Sequence, residues 1–131
     1  MNTIIERFDG VDLIRPAGDF QWPHPTFSDF PECCGPGPAG SVGNTAVPEK
    51  ILGLPVGPTC HVHDCMWGHG PLTWGAFHYS NSVFLTNMLE VNKRRGGFWP
   101  FQMARMPLIF ARYIAVSSPV GAAKFFRRST T

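Results

Sequence analysis

The stretch CHVHDC, Cys60 to Cys65, gathers two thiols, two imidazoles and a carboxylate. Histidine has a pKa near neutrality, so His63 is a candidate general base. Asp64 follows it directly, and a carboxylate held beside such a base needs a cation or donors. Upstream, ECCGPGPAG, Glu32 to Gly40, sets two adjacent cysteines against a glycine–proline loop. Backbone carbonyls around glycines can approach an ion closely because no Cβ interferes. Calcium takes such oxygens together with one or two carboxylates. Downstream, Asn81 stands inside an apolar run between Phe77 and Phe84. A buried amide there must find partners, and the His63 ring would be one. The amide oxygen would accept the proton of one ring nitrogen and leave the other nitrogen free as a base.

These residues need helices to position them. Thr59 suits a cap for a helix through CHVHDCMWGHG, with Gly68 and Gly70 ending it. Cys60, His63 and Trp67 then share one face. A second helix is expected from Leu72 or Thr73 to Arg95, with Trp74, Phe77, Phe84, Leu85, Met88 and Leu89 as its apolar stripe. The basic run before Gly96 is a stop signal. A short Gly-Pro connection favours antiparallel packing of the two. A third helix is expected over Met106 to Val116 with Pro107 in its first turn, and a short last one in GAAKFFRR. Residues 1–58 show little periodicity. DGVDLIRPAGD suits a short strand or turn, and the prolines of WPHPTFSDFP block a helix. The expected class is all-α, with a loop-rich N-terminal third and a C-terminal helix. A single domain over 1–131 is expected, with a loop-rich segment 1–31 and a core over 32–131.

Length and charge bound the function. The chain of 131 residues suits one domain with a modest core. A net charge of +2 excludes a strong nucleic-acid footprint and leaves a mild attraction to anionic surfaces. Four cysteines indicate disulfides or a metal site, and three pairings are open. Disulfides imply an oxidising compartment. MNTIIERFDG nevertheless lacks the basic start and apolar run of a signal peptide. MPLIFARYIAV is too short for a transmembrane segment and carries Arg112. Phe98, Trp99, Phe101, Phe125 and Phe126, flanked by Arg94, Arg95, Arg127 and Arg128, are candidates for docking on a phospholipid membrane surface.

Taken together, CCGPGPAG, CHVHDCMW and YSNSVFLTNM resemble the secreted phospholipase A2 superfamily, especially its prokaryotic and parvovirus-type branches. The likeness runs over roughly Cys33 to Met88. It lies in the glycine loop at Gly35 and Gly37, in Cys60-x-x-His63-Asp64, in Trp67, and in Asn81-x-x-Phe84. The resemblance implies Ca2+-dependent hydrolysis of the sn-2 ester of glycerophospholipids. His63 would activate water. Asp64 would hold Ca2+ with the carbonyls of Cys33, Gly35 and Gly37. A Cys34–Cys60 disulfide would tie the loop to the helix, leaving Cys33 and Cys65 by elimination. Asn81 stands where the family has the aspartate that orients the histidine, and Trp67 where it usually has tyrosine. The implied setting is secreted or virion-associated. Two other readings stay open: a catalytically inactive phospholipase-like binding protein, and a zinc domain using the cysteines, histidines and His69.

Overall fold

The computed structural model describes residues 2–30 and 50–127. Most of these residues are helical, as expected, but the chain opens with a β-hairpin. Strands β1 (Thr3–Phe8) and β2 (Val11–Pro16) pair antiparallel, with Phe8 opposite Val11. The two turn residues, Asp9 and Gly10, have φ of 46° and 84°. That conformation at both positions is what an Asp-Gly turn between twisted strands supplies. Phe8, Val11 and Leu13 are buried while Asp12 is exposed, so the alternation of the pleat sets the inner face. A second two-stranded ladder joins β3 (Lys50–Ile51) to β4 (Leu54–Pro55) through Leu52 and Gly53.

Helix α1 (Gly57–His69) starts before Thr59, with Pro58 in its first turn. The Thr59 hydroxyl donates back to the Val56 carbonyl at 2.6 Å, so Thr59 lies inside the helix and is not its cap. Helix α2 (Trp74–Arg95) is capped by Thr73, whose Oγ1 accepts from the Ala76 amide at 3.1 Å. Lys93, Arg94 and Arg95 occupy its last turn, where the helix dipole favours cations. Helix α3 (Trp99–Ser117) begins well before the expected Met106. Pro100 fills its first turn, and Pro107 lies mid-helix instead of at the start. Pro107 and Met103 are both exposed, so water can serve the carbonyl that Pro107 cannot. Helix α4 (Pro119–Arg127) follows.

Helix α2 is the hub and packs on α1, on β2 and on α3. Contacts between α1 and α2 run in opposite order, with His63 against Asn81 and Trp67 against Phe77. The pair is therefore antiparallel. The principal core joins Phe8, Val11, Leu13, Phe27, Met88, Val91 and Ile109. The expected stripe on α2 is only partly buried: Phe77, Phe84 and Met88 are inside, but Trp74 is 60 % exposed. Among the docking candidates, Phe125 is buried, while Phe98, Trp99 and Phe101 are exposed. Among the described residues no single helix is long and apolar enough to cross a membrane. Helices α3 and α4 meet those criteria only together, across a bend of 52°.

Arg105, on α3, is buried, and no carboxylate among the described residues bonds it. Its guanidinium donates instead to backbone carbonyls: Ile51 at 2.9 Å, Leu52 at 3.0 Å and Gly96 at 2.6 Å. It also reaches the Asn92 Oδ1 at 3.4 Å. The planar fork with its several fixed donors suits this spread of acceptors, which an ammonium could not match. One side chain thus closes the C-terminal end of α2 and holds the β3–β4 turn. Leu52 has φ of 47°, an unfavourable conformation for a residue with a Cβ, and Arg105 grips its carbonyl. Replacing Arg105 by Met should lower stability by about 3 kcal/mol, since buried acceptors lose their donor. Arg105→Lys should recover less than half of that. Urea unfolding measures both, and a loss under about 1 kcal/mol for the Met variant would contradict the clamp.

Candidate active site

His63 and Asn81 meet as the sequence suggests. His63 is 5 % exposed and Asn81 fully buried. His63 Nε2 lies 2.8 Å from Asn81 Oδ1. The other end of the amide settles its orientation: Asn81 Nδ2 donates to the Val116 carbonyl of α3 at 3.4 Å. The oxygen therefore faces the ring, and His63 carries its proton on Nε2 as donor. Nδ1 makes no hydrogen bond to any described residue. It is the nitrogen with a free lone pair, the one a base needs.

The ring is held on its faces as well as its edge. Phe84 stacks on it at 4.5 Å between centroids with planes 26° apart, and Trp67 lies at 4.6 Å on a tilt of 49°. Positions 81 and 84 are one helical turn apart, which is why one stretch of α2 supplies both the amide and the aromatic face. Trp67 is four residues after His63 on α1 and covers it by the same rule. Its Nε1 donates to Ser80 Oγ at 2.9 Å, and Ser80 Oγ donates to the Phe77 carbonyl at 2.9 Å. Trp67 is thus a fixed wall against the imidazole. Phe125 of α4 closes behind it, 5.5 Å from the Trp67 ring. An apolar cavity of about 280 Å³ lies nearby, lined by Met66, Pro71, Thr73, Ala76, Tyr79 and Ser80. Neither His63, Asp64 nor Asn81 lines it.

Burial lowers the His63 pKa to about 4, and the Asn81 hydrogen bond opposes that only in part. The imidazole is consequently neutral throughout the physiological range, with the Nδ1 lone pair unprotonated. Asp64 shows the opposite shift. Desolvation raises it to about 7, although more than a third of the residue's surface is open. The two facts fit a carboxyl rimmed by protein but reachable from outside. It has no hydrogen-bond or ion-pair partner among the described residues. Cys65 is a free thiol, 3.7 Å from His61 Nε2, with its pKa raised by burial and by Asp64. A Cys33–Cys65 bridge is therefore excluded. Cys60 is buried and disulfide-bonded. Cys33, Cys34, Gly35 and Gly37 lie outside the described residues. His69 is exposed at the end of α1.

Phe84, already marked by Asn81-x-x-Phe84, stacks the ring. Groups that the sequence reading passed over complete the site: Ser80 anchors Trp67, and the Val116 carbonyl fixes the Asn81 flip. Ser80 carried a signal, being a second polar residue beside Asn81 on the buried face. The Val116 carbonyl carried none, since any residue has one. Compared with family models, with curated proteins and with solved structures, the chain finds no match.

The two titrations predict opposite pH effects. An unfolded chain's imidazole protonates near 6.5, and the folded one near 4. His63 therefore favours the folded state above about pH 6.5, and this contribution is lost as pH falls through 4. Asp64 ionises near 3.8 when unfolded and near 7 when folded. Its contribution is full below 3.8 and lost as pH rises through 7. In chelator, Asp64→Asn should raise the melting temperature at pH 8 and leave it unchanged at pH 3.5. Nitrogen-detected NMR should find His63 protonated on Nε2 and neutral at pH 5.5. A ring that titrates near 6.5 would contradict its burial.

Proposed function

We propose that the chain is a calcium-dependent esterase acting on the sn-2 ester of glycerophospholipids. The carrying observation is the His63 ring, neutral and buried, with Nε2 committed to Asn81 and Nδ1 left over. Asp64 fits a cation ligand: it has no hydrogen-bond or ion-pair partner among the described residues, is reachable from outside and follows His63 directly in the chain. Asp64 with the carbonyls of Cys33, Gly35 and Gly37 would hold Ca2+. Bound there, Ca2+ supplies electrostatic stabilisation to a developing oxyanion. The protein's own part is proton transfer. His63 Nδ1 accepts a proton from water as the water oxygen bonds to the ester carbon. The same nitrogen returns the proton to the glycerol oxygen as the ester C–O bond breaks, giving a lysophospholipid and a fatty acid. Asn81 keeps the tautomer through both steps, and the Trp67 and Phe84 rings keep the plane.

Asparagine orients the imidazolium but does not neutralise it. That difference supports, as a second reading, an inactive phospholipase-like protein that binds membranes. The zinc reading draws less support, because Cys60 in a disulfide is no thiolate ligand. A Cys34–Cys60 bridge would hold the glycine loop to α1, and it belongs to an oxidising, extracellular setting.

Hydrolysis of a monomeric short-chain phospholipid should require calcium and stop on chelation. His63→Gln should abolish turnover and leave calcium affinity unchanged. Asp64→Asn should weaken calcium binding by about tenfold or more, as loss of a carboxylate ligand does. Asn81→Leu should cost roughly tenfold or more in rate, because a base in the wrong tautomer loses much of its effect. Asn81→Asp should raise the histidine pKa and keep or raise the rate. Turnover that survives chelation would falsify the mechanism. Peptide mapping checks the bridge, and free thiols at both Cys34 and Cys60 would refute it.

A further inference from the structure

Charge is divided along this chain. Up to Glu90 there are three basic and nine acidic residues, while after it there are eight basic residues and no acidic one. Helix α3 lies wholly in the basic part and presents an uncharged surface. Every exposed residue from Trp99 to Ala115 is apolar. Phe101, Met103, Leu108, Phe110 and Ile114 are 40–65 % exposed along it. The two arginines of α3 do not interrupt this face: Arg105 is buried inward, and Arg112 is half-buried. The exposed positions sweep roughly half the helix circumference, given about 100° per residue. The helix has 19 residues, so this face runs about 28 Å. A continuous apolar strip of that size on a small protein marks a contact surface. Its ends are basic and exposed: Lys93, Arg94 and Arg95 before α3, with Arg94 paired to Glu90 and Arg95 to Asp9, and Lys124 and Arg127 after it.

We infer that α3 lies flat in the headgroup region of an anionic bilayer, with its uncharged face down and the two basic clusters on lipid phosphates. Helices that bind in the interface combine an apolar face rich in Trp, Phe and Leu with flanking Lys and Arg. Trp99 and Phe98, 67 % and 66 % exposed, sit at the end nearest Lys93–Arg95, where an aromatic ring suits the headgroup level. A second copy of the chain suits this surface less well. Antiparallel or parallel, it would set basic ends against basic ends. The inference stands on this face alone and does not require His63 to be a base.

The test uses the full chain in chelator with vesicles of ether-linked lipids, which have no ester to hydrolyse. Vesicles of phosphatidylcholine are compared with vesicles containing phosphatidylglycerol. The wild type should float with the anionic vesicles and about tenfold less with the neutral ones, and salt should weaken it. Leu108→Asp with Ile114→Asp should reduce anionic binding at least about tenfold while the melting temperature holds, because both side chains are exposed. Leu108→Ser with Ile114→Ser serves if the aspartates disturb the helix. Lys124→Gln with Arg127→Gln should flatten the salt dependence. The inference fails if the Asp or Ser pair floats like the wild type. It also fails if light scattering shows a dimer that the pair dissolves while the wild type ignores vesicles.

Discussion

A buried side-chain amide must satisfy both of its ends, and this requirement organises the molecule around α2. Three asparagines on the buried side of that helix fasten it to α1, β2 and α3. Asn81 takes the His63 ring of α1 with its oxygen and the Val116 carbonyl of α3 with its nitrogen. Asn87 pairs with the backbone of β2, accepting from the Ile14 amide and donating to the Ile14 carbonyl, both at 2.9 Å. Asn92 donates to the Gln102 carbonyl at 2.9 Å and receives Arg105. Apolar contacts are nondirectional and tolerate sliding. Amides bonded at both ends do not, so α2 has one register against each neighbour. The cost of leaving any one unpaired, on the order of 1–3 kcal/mol, is a large share of a small domain's stability.

The site inherits its order from that arrangement. A buried imidazole surrounded by apolar groups disfavours its charged form, and in this slot the Phe84 ring stacks on it and the tilted Trp67 ring packs against it. The result is an imidazole held neutral, with a defined tautomer and little freedom to turn. Asp64 escapes the slot because its place on α1 is rotated by about 100° from His63. One residue step thus separates a buried imidazole from a reachable carboxyl.

Arg105 does for the far end of α2 what Asn81 does for the near end. A charge so deep would be costly if its only company were apolar. Several carbonyls share the guanidinium, and two of them belong to the turn before α1. The helix that carries Arg105 inward also turns its uncharged side outward. The same α3 therefore anchors the core and presents the large apolar surface.

Much of the site was legible in the sequence. His63 and Asn81 were found because a polar residue in an apolar helical stripe needs a partner, and Trp67 because helical spacing is regular. The α1–α2 hairpin followed from glycines and a basic stop, although Thr59 lies inside α1 and does not cap it. Helix α3 was misplaced because Pro107 looks like a start, and only the exposure of its outer face makes a mid-helix proline tolerable. Asn87, Asn92 and Arg105 gave no local signal, since their partners are backbone groups that every residue possesses. Periodicity and residue chemistry determined which side chains needed partners. Tertiary structure alone decided which carbonyl, ring or strand edge met that need, because hydrogen bonding depends on distance and direction between segments far apart in the chain.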